Sequence, residues 1–259
     1  MTSIAVVTGA GRGLGRCIAE RLARSYHVIV TDVDGAAAAS TAAAINGTPI
    51  TQDVRDPDSH RAVARAALAK GRMCVWVNNA GVLAVGDAWQ MSDAEVRRMV
   101  EINLLGVIWG CNAAISAMEK GAILNIGSLS SLTPAPGLAV YAGTKHAVLG
   151  YSLSLAGELD RAKRPITVST LCPDAIAGDM TKAVAHDPAA GILFSGGQLT
   201  LDDVANEAVA LIEKPRLVRA LPAYRAAVIH ALRPFPRIGL PLMEQLAKLG
   251  RRKTKTTAR

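Results

Sequence analysis

Short apolar runs alternate with longer stretches of helical periodicity along most of the chain. Ile4–Val7 leads into a helical pattern from Leu14 to Ser25, His27–Thr31 into the Ala-rich residues 35–45, and Pro49–Gln52 into 57–70. Met73–Val77 precedes a long pattern over 92–117, and Ala122–Ile126 precedes another over 141–163. Residues 166–171 read as a strand, Leu199–Glu213 as a helix and Leu217–Leu221 as an edge strand. Runs such as Val28-Ile29-Val30 are apolar at successive positions, so both faces of the strand must be covered. Six or seven strands separated by helices predict right-handed βαβ units and an α/β, doubly wound parallel sheet with helices on both faces. No repeat or linker divides the body. The segment 174–198 is long for a connection between two such elements, which suits a lid.

The chain has 259 residues, half of them hydrophobic and 19% charged, enough to bury one large core and to exclude global disorder. The formal net charge of +8 is unevenly placed. Residues 213–259 hold 12 Lys/Arg and 2 Asp/Glu, while residues 1–212 hold 17 and 19. A basic tail is thus attached to a nearly neutral body. Nucleic-acid binding would call for aromatics among the bases, and the tail offers only Tyr224 and Phe235, so no nucleic-acid partner is expected. Cys17, Cys74, Cys111 and Cys172 are far apart with no CxxC or Cys/His cluster, which implies free thiols in a reducing compartment and no metal site. The first residues enter a strand without a secretory leader, and no apolar run of about 18 residues is present. A cytoplasmic location is the expectation.

The body ends at Leu221. In the extension 222–250, Ala226–Leu232 and Ile238–Leu249 show apolar residues near helical spacing, with Arg and Lys between them and prolines at 234, 236 and 241. The pattern suits a basic amphipathic anchor on an anionic membrane. Covering a substrate pocket or crossing to a partner subunit stays open. Residues 251–259 are polar and expected to be disordered.

The first strand runs into Thr8-Gly9-Ala10-Gly11-Arg12-Gly13-Leu14-Gly15 and opens a helix. Glycines at such a turn let the backbone approach a pyrophosphate, and the helix N–H groups supply positive potential, as in Rossmann-type dinucleotide sites. Asp32 ends the second strand seventeen residues past Gly15, where a carboxylate can bond the adenosine ribose hydroxyls and repel a 2′-phosphate. A solvated turn residue is the plainer reading of Asp32. Val33 follows it, without a base nearby, which favours NAD over NADP; Arg12 could still reach a 2′-phosphate. Asp53, beside Val54, suits either the adenine amino group or a helix start before Pro57.

Strand 73–77 ends in Asn78-Asn79-Ala80-Gly81, strand 122–126 in Gly127-Ser128, and Tyr141 and Lys145 sit four apart at a helix start. Strand order should bring all three to the carboxyl edge of the sheet. These motifs together (TGAGRGLG, NNAG, a Ser thirteen residues before a Tyr, and YAGTK) resemble the classical short-chain dehydrogenase/reductase family over about residues 3–221. The resemblance implies an NAD(P)-dependent oxidoreductase with Asn103, Ser128, Tyr141 and Lys145 as its catalytic set. It implies a pyrophosphate turn at Gly9, Gly13 and Gly15, cofactor-lining residues Asn79, Ala80, Gly81 and Ile126, and a homodimer or homotetramer formed through helices 92–117 and 141–163. A nearby ammonium and a cationic nicotinamide would lower the phenol pKa of Tyr141 from about 10, letting it take the alcohol proton. Lys145 suits the nicotinamide ribose, Ser128 the substrate oxygen, and Asn103 a water relaying protons to Lys145.

The sequence departs from the family after strand 166–171. Asp174 follows Pro173 where Gly is usual, and Gly178 stands where a Thr contacts the carboxamide; Ile176 can still offer its backbone, and Thr181 stands three residues on. Cys74 replaces an Asp in the strand before NNAG. Met180, Ile192, Leu193 and Phe194 in the lid, with Leu129, Leu132, Pro134 and Pro136, argue for a hydrophobic substrate such as a steroid, a lipid-like alcohol or a terpenoid. The alternative is a non-catalytic dinucleotide-binding regulator or scaffold, which has no use for the Tyr141 set.

Overall fold

The computed structural model describes residues 1–232 and 234–257. β1 (Ser3–Thr8) runs into α1 (Gly13–Leu22), β2 (His27–Asp32) into α2 (Gly35–Ala44), and β3 (Thr48–Thr51) into α3 (Pro57–Lys70). β4 (Arg72–Asn78) is followed by α4 (Asp93–Val100) and α5 (Gly106–Ala117), and β5 (Gly121–Ile126) by α6 (Ala139–Arg161). β6 (Ile166–Pro173) is followed by α7 (Asp179–Ala183) and α8 (Leu201–Glu213), and β7 (Val218–Leu221) by α9 (Ala223–Leu232) and α10 (Pro236–Thr257). The seven strands pair in the order β3-β2-β1-β4-β5-β6-β7, all parallel. Chain direction across the sheet reverses between β1 and β4, which opens the crevice where such folds bind ligands.

The period of two along each strand splits the core into two layers. In β1, Ala5 and Val7 pack with Ile18, Ala38, Val204 and Leu211, on the side of α1, α2 and α8. Ile4 and Val6 pack with Val63, Val107, Cys111 and Val148, on the side of α3, α5 and α6. Helix starts follow local chemistry. Asp56 accepts from the Asp58 amide ahead of Pro57, and Ser92 and Glu95 form a reciprocal cap that opens α4.

Two expectations change. The pattern 92–117 is a continuous helix containing a π-helical turn, Glu101–Leu105, between α4 and α5. It is long and apolar enough to cross a membrane by length and composition, yet Val107, Cys111 and Ala114 on it belong to the core. The second change is at the end of the chain. α10 carries helix through 251–257, where disorder is expected from composition; Lys and Arg are good helix formers, and Arg251 donates to Glu244 at 3.0 Å. Ala258 and Arg259 lie outside the described residues.

The extension packs on the body. Ala226 and Ile229 of α9 join Leu129, Leu132 and Leu149 in one apolar cluster. α10 lies against the 3-10 turn Pro188–Phe194 of the lid. Gly250 and Gly191 are so close that a Cβ on Gly250 would run into the Gly191 carbonyl, and one on Gly191 into that of Ala247. Of the three roles open for the extension, covering the pocket is the one this packing displays.

Candidate active site

At the nucleotide end, Asn79 ties β4 to the turn after β1. Its side-chain amide donates to Thr8 O at 2.9 Å and Gly9 O at 3.0 Å, while the Thr8 hydroxyl accepts from the Asn79 and Ala80 amides at 3.1 Å each. Gly9 and Gly13 have φ of 62° and 56°, the left-handed region. A Cβ on Gly9 would crowd Ala80, whereas one on Gly13 would point into open space at the start of α1. That opening beside free helix N–H groups fits a pyrophosphate. Asp32 closes the adenosine side; its carboxylate accepts from the Gly11 amide at 2.9 Å and the Asp34 amide at 3.1 Å. It is therefore both a turn former and a wall of the crevice. Asp53 also reaches the crevice, but its carboxylate is engaged by Arg55 at 2.6 Å, and that guanidinium holds its pKa below the ordinary value.

At the chemical end, β5 delivers Ser128 into a tight turn. The Ser128 hydroxyl accepts from the Ser130 amide at 3.1 Å, and the Ser128 amide donates to the Ser131 hydroxyl at 3.1 Å. Tyr141 and Ser128 line the same cavity wall. Lys145 Nζ lies 5.7 Å from the Tyr141 ring centroid and donates to Ile126 O at 2.9 Å. Burial pushes the Tyr141 phenol up to about 12, with the Ser128 hydroxyl pulling the other way, and lowers the Lys145 ammonium to about 8. Both shifts are desolvation of the charged form. An added positive charge in the crevice would favour the Tyr141 phenolate.

One cavity of about 950 Å³ joins the two ends. It is lined by Gly9, Arg12, Gly13, Leu14, Gly15, Asp32, Asp53, Val54, Asn79, Ala80, Gly81, Ile126, Pro173 and Ile176, and by Ser128, Tyr141 and Lys145. Asn103 stands behind it. Its side chain accepts from the Val82 amide at 2.8 Å and donates to Val82 O at 2.9 Å, and it is fully buried in the π-helical turn. Gly81 lies between Asn103 and Lys145: a Cβ there would sit 3.4 Å from Asn103 Oδ1 and 3.9 Å from Lys145 Nζ. Thr181 lines the cavity, but its hydroxyl donates back to Ile176 O at 2.8 Å and accepts from the Gly178 amide at 3.3 Å. It fastens the lid turn.

The substrate half of the wall includes residues that sequence reasoning missed. Arg98 and Ile102 come from the helix after β4, Tyr224, Arg225, Val228 and Ile229 from α9, and Leu242, Met243 and Leu246 from α10. Arg225 forms a close ion pair with Asp174, and its other terminal nitrogen donates to the Ser195 hydroxyl at 3.3 Å. The unusual acid after Pro173 thus has its partner in the extension. Burial raises the Asp174 pKa despite Arg225. The sequence carried both halves of this signal, an acid replacing Gly and a base among apolar residues, 51 positions apart.

Comparison with known proteins shows the family and the fold. A family model described as short chain dehydrogenase matches residues 3–189. The chain is 41% identical over 197 residues to the 3-oxoacyl-[acyl-carrier-protein] reductase FabG of Escherichia coli (strain K12), covering 73% of this chain and 80% of that protein. It is 35% identical over 221 residues to the FabG of Vibrio cholerae, covering 82% and 90%. A short chain dehydrogenase/reductase from Burkholderia phymatum, crystallised in complex with NAD, superposes with a TM-score of 0.83 at 26% identity, over 92% of this chain and 95% of that one.

Proposed function

Because the chain belongs to the short-chain dehydrogenase/reductase family, we propose that it interconverts a secondary alcohol and a ketone on a hydrophobic molecule, with NAD preferred over NADP. The observation that carries the reading is that Ser128, Tyr141 and Lys145 line one cavity, with Lys145 Nζ 5.7 Å from the Tyr141 ring centroid and a far wall that is apolar. Gly9, Gly13 and Gly15 with the start of α1 hold the pyrophosphate, Asp32 the adenosine ribose, and Pro173 and Ile176 the carboxamide. A bound dinucleotide supplies the hydride acceptor in oxidation or the donor in reduction. Ser128 and Tyr141 hold the substrate oxygen. Tyr141 takes the hydroxyl proton in oxidation and returns it in reduction. Lys145 favours the phenolate by its charge and passes protons on. Asn103, fixed to the Val82 backbone, holds the turn beside Gly81 and Lys145 where a relaying water would sit. NAD preference rests on Asp32, with Arg12 as the residue through which NADP would bind.

The body is residues 1–221 with the lid at 174–198, and 222–250 completes the substrate wall. The chain assembles as a homodimer or homotetramer through the helices 93–117 and 139–161, where Leu153 stays partly exposed. It works in the cytoplasm. The FabG relatives favour a second reading in which the substrate is a 3-oxoacyl thioester. A panel of steroids, long-chain secondary alcohols, terpenoid ketones and a 3-oxoacyl thioester, followed by absorbance of the reduced dinucleotide, separates the two. Turnover of the thioester alone would overturn the first, and dinucleotide binding with no turnover across the panel would favour a regulator.

A further inference from the structure

Exposed large apolar side chains cluster on α9, α10 and the link between them. Tyr224 and Val228 line the cavity and yet are 68% and 51% exposed, so they form its lip, together with Met180 of α7. On α10, Met243 and Ala247 are buried, and Leu242 and Leu246 line the cavity. Ile238 lies one turn before Leu242 and Leu249 one turn after Leu246, and both are exposed, at 61% and 49%. Helical spacing places these four on one stripe, so an apolar path leads from the surface into the cavity. Arg237, Lys248 and Arg252 are exposed on the neighbouring outward face of the helix.

The charge is concentrated on the same element. Residues 222–259 hold nine Lys/Arg and one acidic residue, Glu244, against a slight acidic excess over 1–212. An apolar stripe flanked by long cationic side chains is the chemistry of a helix lying in the headgroup region of an anionic bilayer. Protein interfaces tend to be depleted of Lys, whereas Lys248 is exposed on this helix and the sequence that follows it carries further Lys and Arg.

We propose that α9 and α10 dock on an anionic lipid surface with the mouth of the cavity turned to the bilayer, so that a secondary alcohol or ketone dissolved in the lipid enters along the Ile238–Leu242–Leu246–Leu249 stripe. This deepens the proposed reaction by naming where its substrate comes from. The inner face of the extension seals the lid, and the outer face meets lipid.

Co-sedimentation of the full chain with vesicles tests it, because the readout needs no turnover. With equimolar phosphatidylcholine and phosphatidylglycerol at 150 mM salt the chain pellets, and with phosphatidylcholine alone it binds at least about tenfold more weakly. Ile238→Glu/Leu249→Glu lowers binding to the anionic vesicles about tenfold or more. Arg237→Gln/Lys248→Gln lowers it several-fold and flattens its salt dependence. Unchanged thermal unfolding of both variants shows that they fold. The proposal is overturned if the chain stays in the supernatant, if neutral vesicles bind it equally, or if the Ile238/Leu249 variant pellets like the parent. Binding to polyglutamate without binding to vesicles would overturn it in favour of an acidic protein partner. Vesicle binding without turnover of any alcohol would instead retire the proposed reaction and leave the docking in place.

Discussion

The two ends of the cavity are built by different means. The nucleotide end is mostly backbone: Gly9, Gly13 and Gly15, the first turn of α1, and the peptide groups held by Thr8 and Asn79, all near the carboxyl ends of β1 and β4. The substrate end is mostly side chains, carried on the lid, α9 and α10, elements that contribute no strand to the sheet. A backbone cradle leaves little to vary, whereas a side-chain wall on appended elements can change without disturbing the sheet. Under the proposed function the chemistry is tied to the body and the choice of substrate to the extension.

The largest expected effect breaks the chemistry and spares both ends. Tyr141→Phe should lower kcat by about 10² to 10⁴, while NAD binding measured by calorimetry stays as in the parent. Retained turnover would remove Tyr141 from the acid–base role. The next effect tests whether the extension is part of the fold. Arg225→Ala strands the largely buried Asp174 carboxylate, so the chain should lose about 3 kcal/mol of stability to urea. Asp174→Gly in the same background should restore much of that loss, because the acid left without a partner is then gone. A double variant no more stable than Arg225→Ala would show that the pair does not hold the extension down.

The difference between the ends also decides what could be read in advance. The strands and the parallel order follow from runs such as Val28–Val30 that are apolar on both faces, and the glycine turn follows from its place between a strand and a helix. The π-helical turn at Glu101–Leu105 left no trace, because one extra residue per turn barely alters a hydrophobic period of 3.6. Asn103 could be placed in the site only by resemblance; its grip on Val82 is a contact between segments 21 residues apart. The tail showed its helical spacing and charge, but which face meets the lid depends on the approach of Gly191 to Gly250, which two isolated glycines do not announce. Composition argued for disorder from Arg251, and the helix continues there with Arg and Lys, good helix formers, alongside three Thr, and with Arg251 paired to Glu244 seven residues back.

A smaller effect sharpens the nucleotide end. Asp32 is held toward the crevice by the Gly11 amide, so Asp32→Ala should remove a charge-assisted bond to the ribose and the repulsion of a 2′-phosphate together. The preference for NAD over NADP in kcat/KM should narrow by about 1.5–3 kcal/mol. An unchanged ratio would move the discrimination to Arg12 or elsewhere.

The smallest effect lies where the two ends meet, at Lys145. Burial lowers its pKa in the folded protein from 10.5 to about 8. Below about pH 8 both folded and unfolded chains carry this proton, and the cost of the buried charge is present in full. Between about pH 8 and 10.5 the unfolded chain binds more protons at this site than the folded one, so stability rises with pH through that window. Tyr141, raised to about 12, acts in the opposite sense only above pH 10, which leaves pH 7 to 9.5 for the measurement. Urea midpoints of the nucleotide-free parent should climb across that range relative to those of Lys145→Met, which lacks the titrating group. Parallel curves would mean that Lys145 keeps its proton through solvent reaching the crevice, and that the ammonium beside Tyr141 is better hydrated than its burial implies.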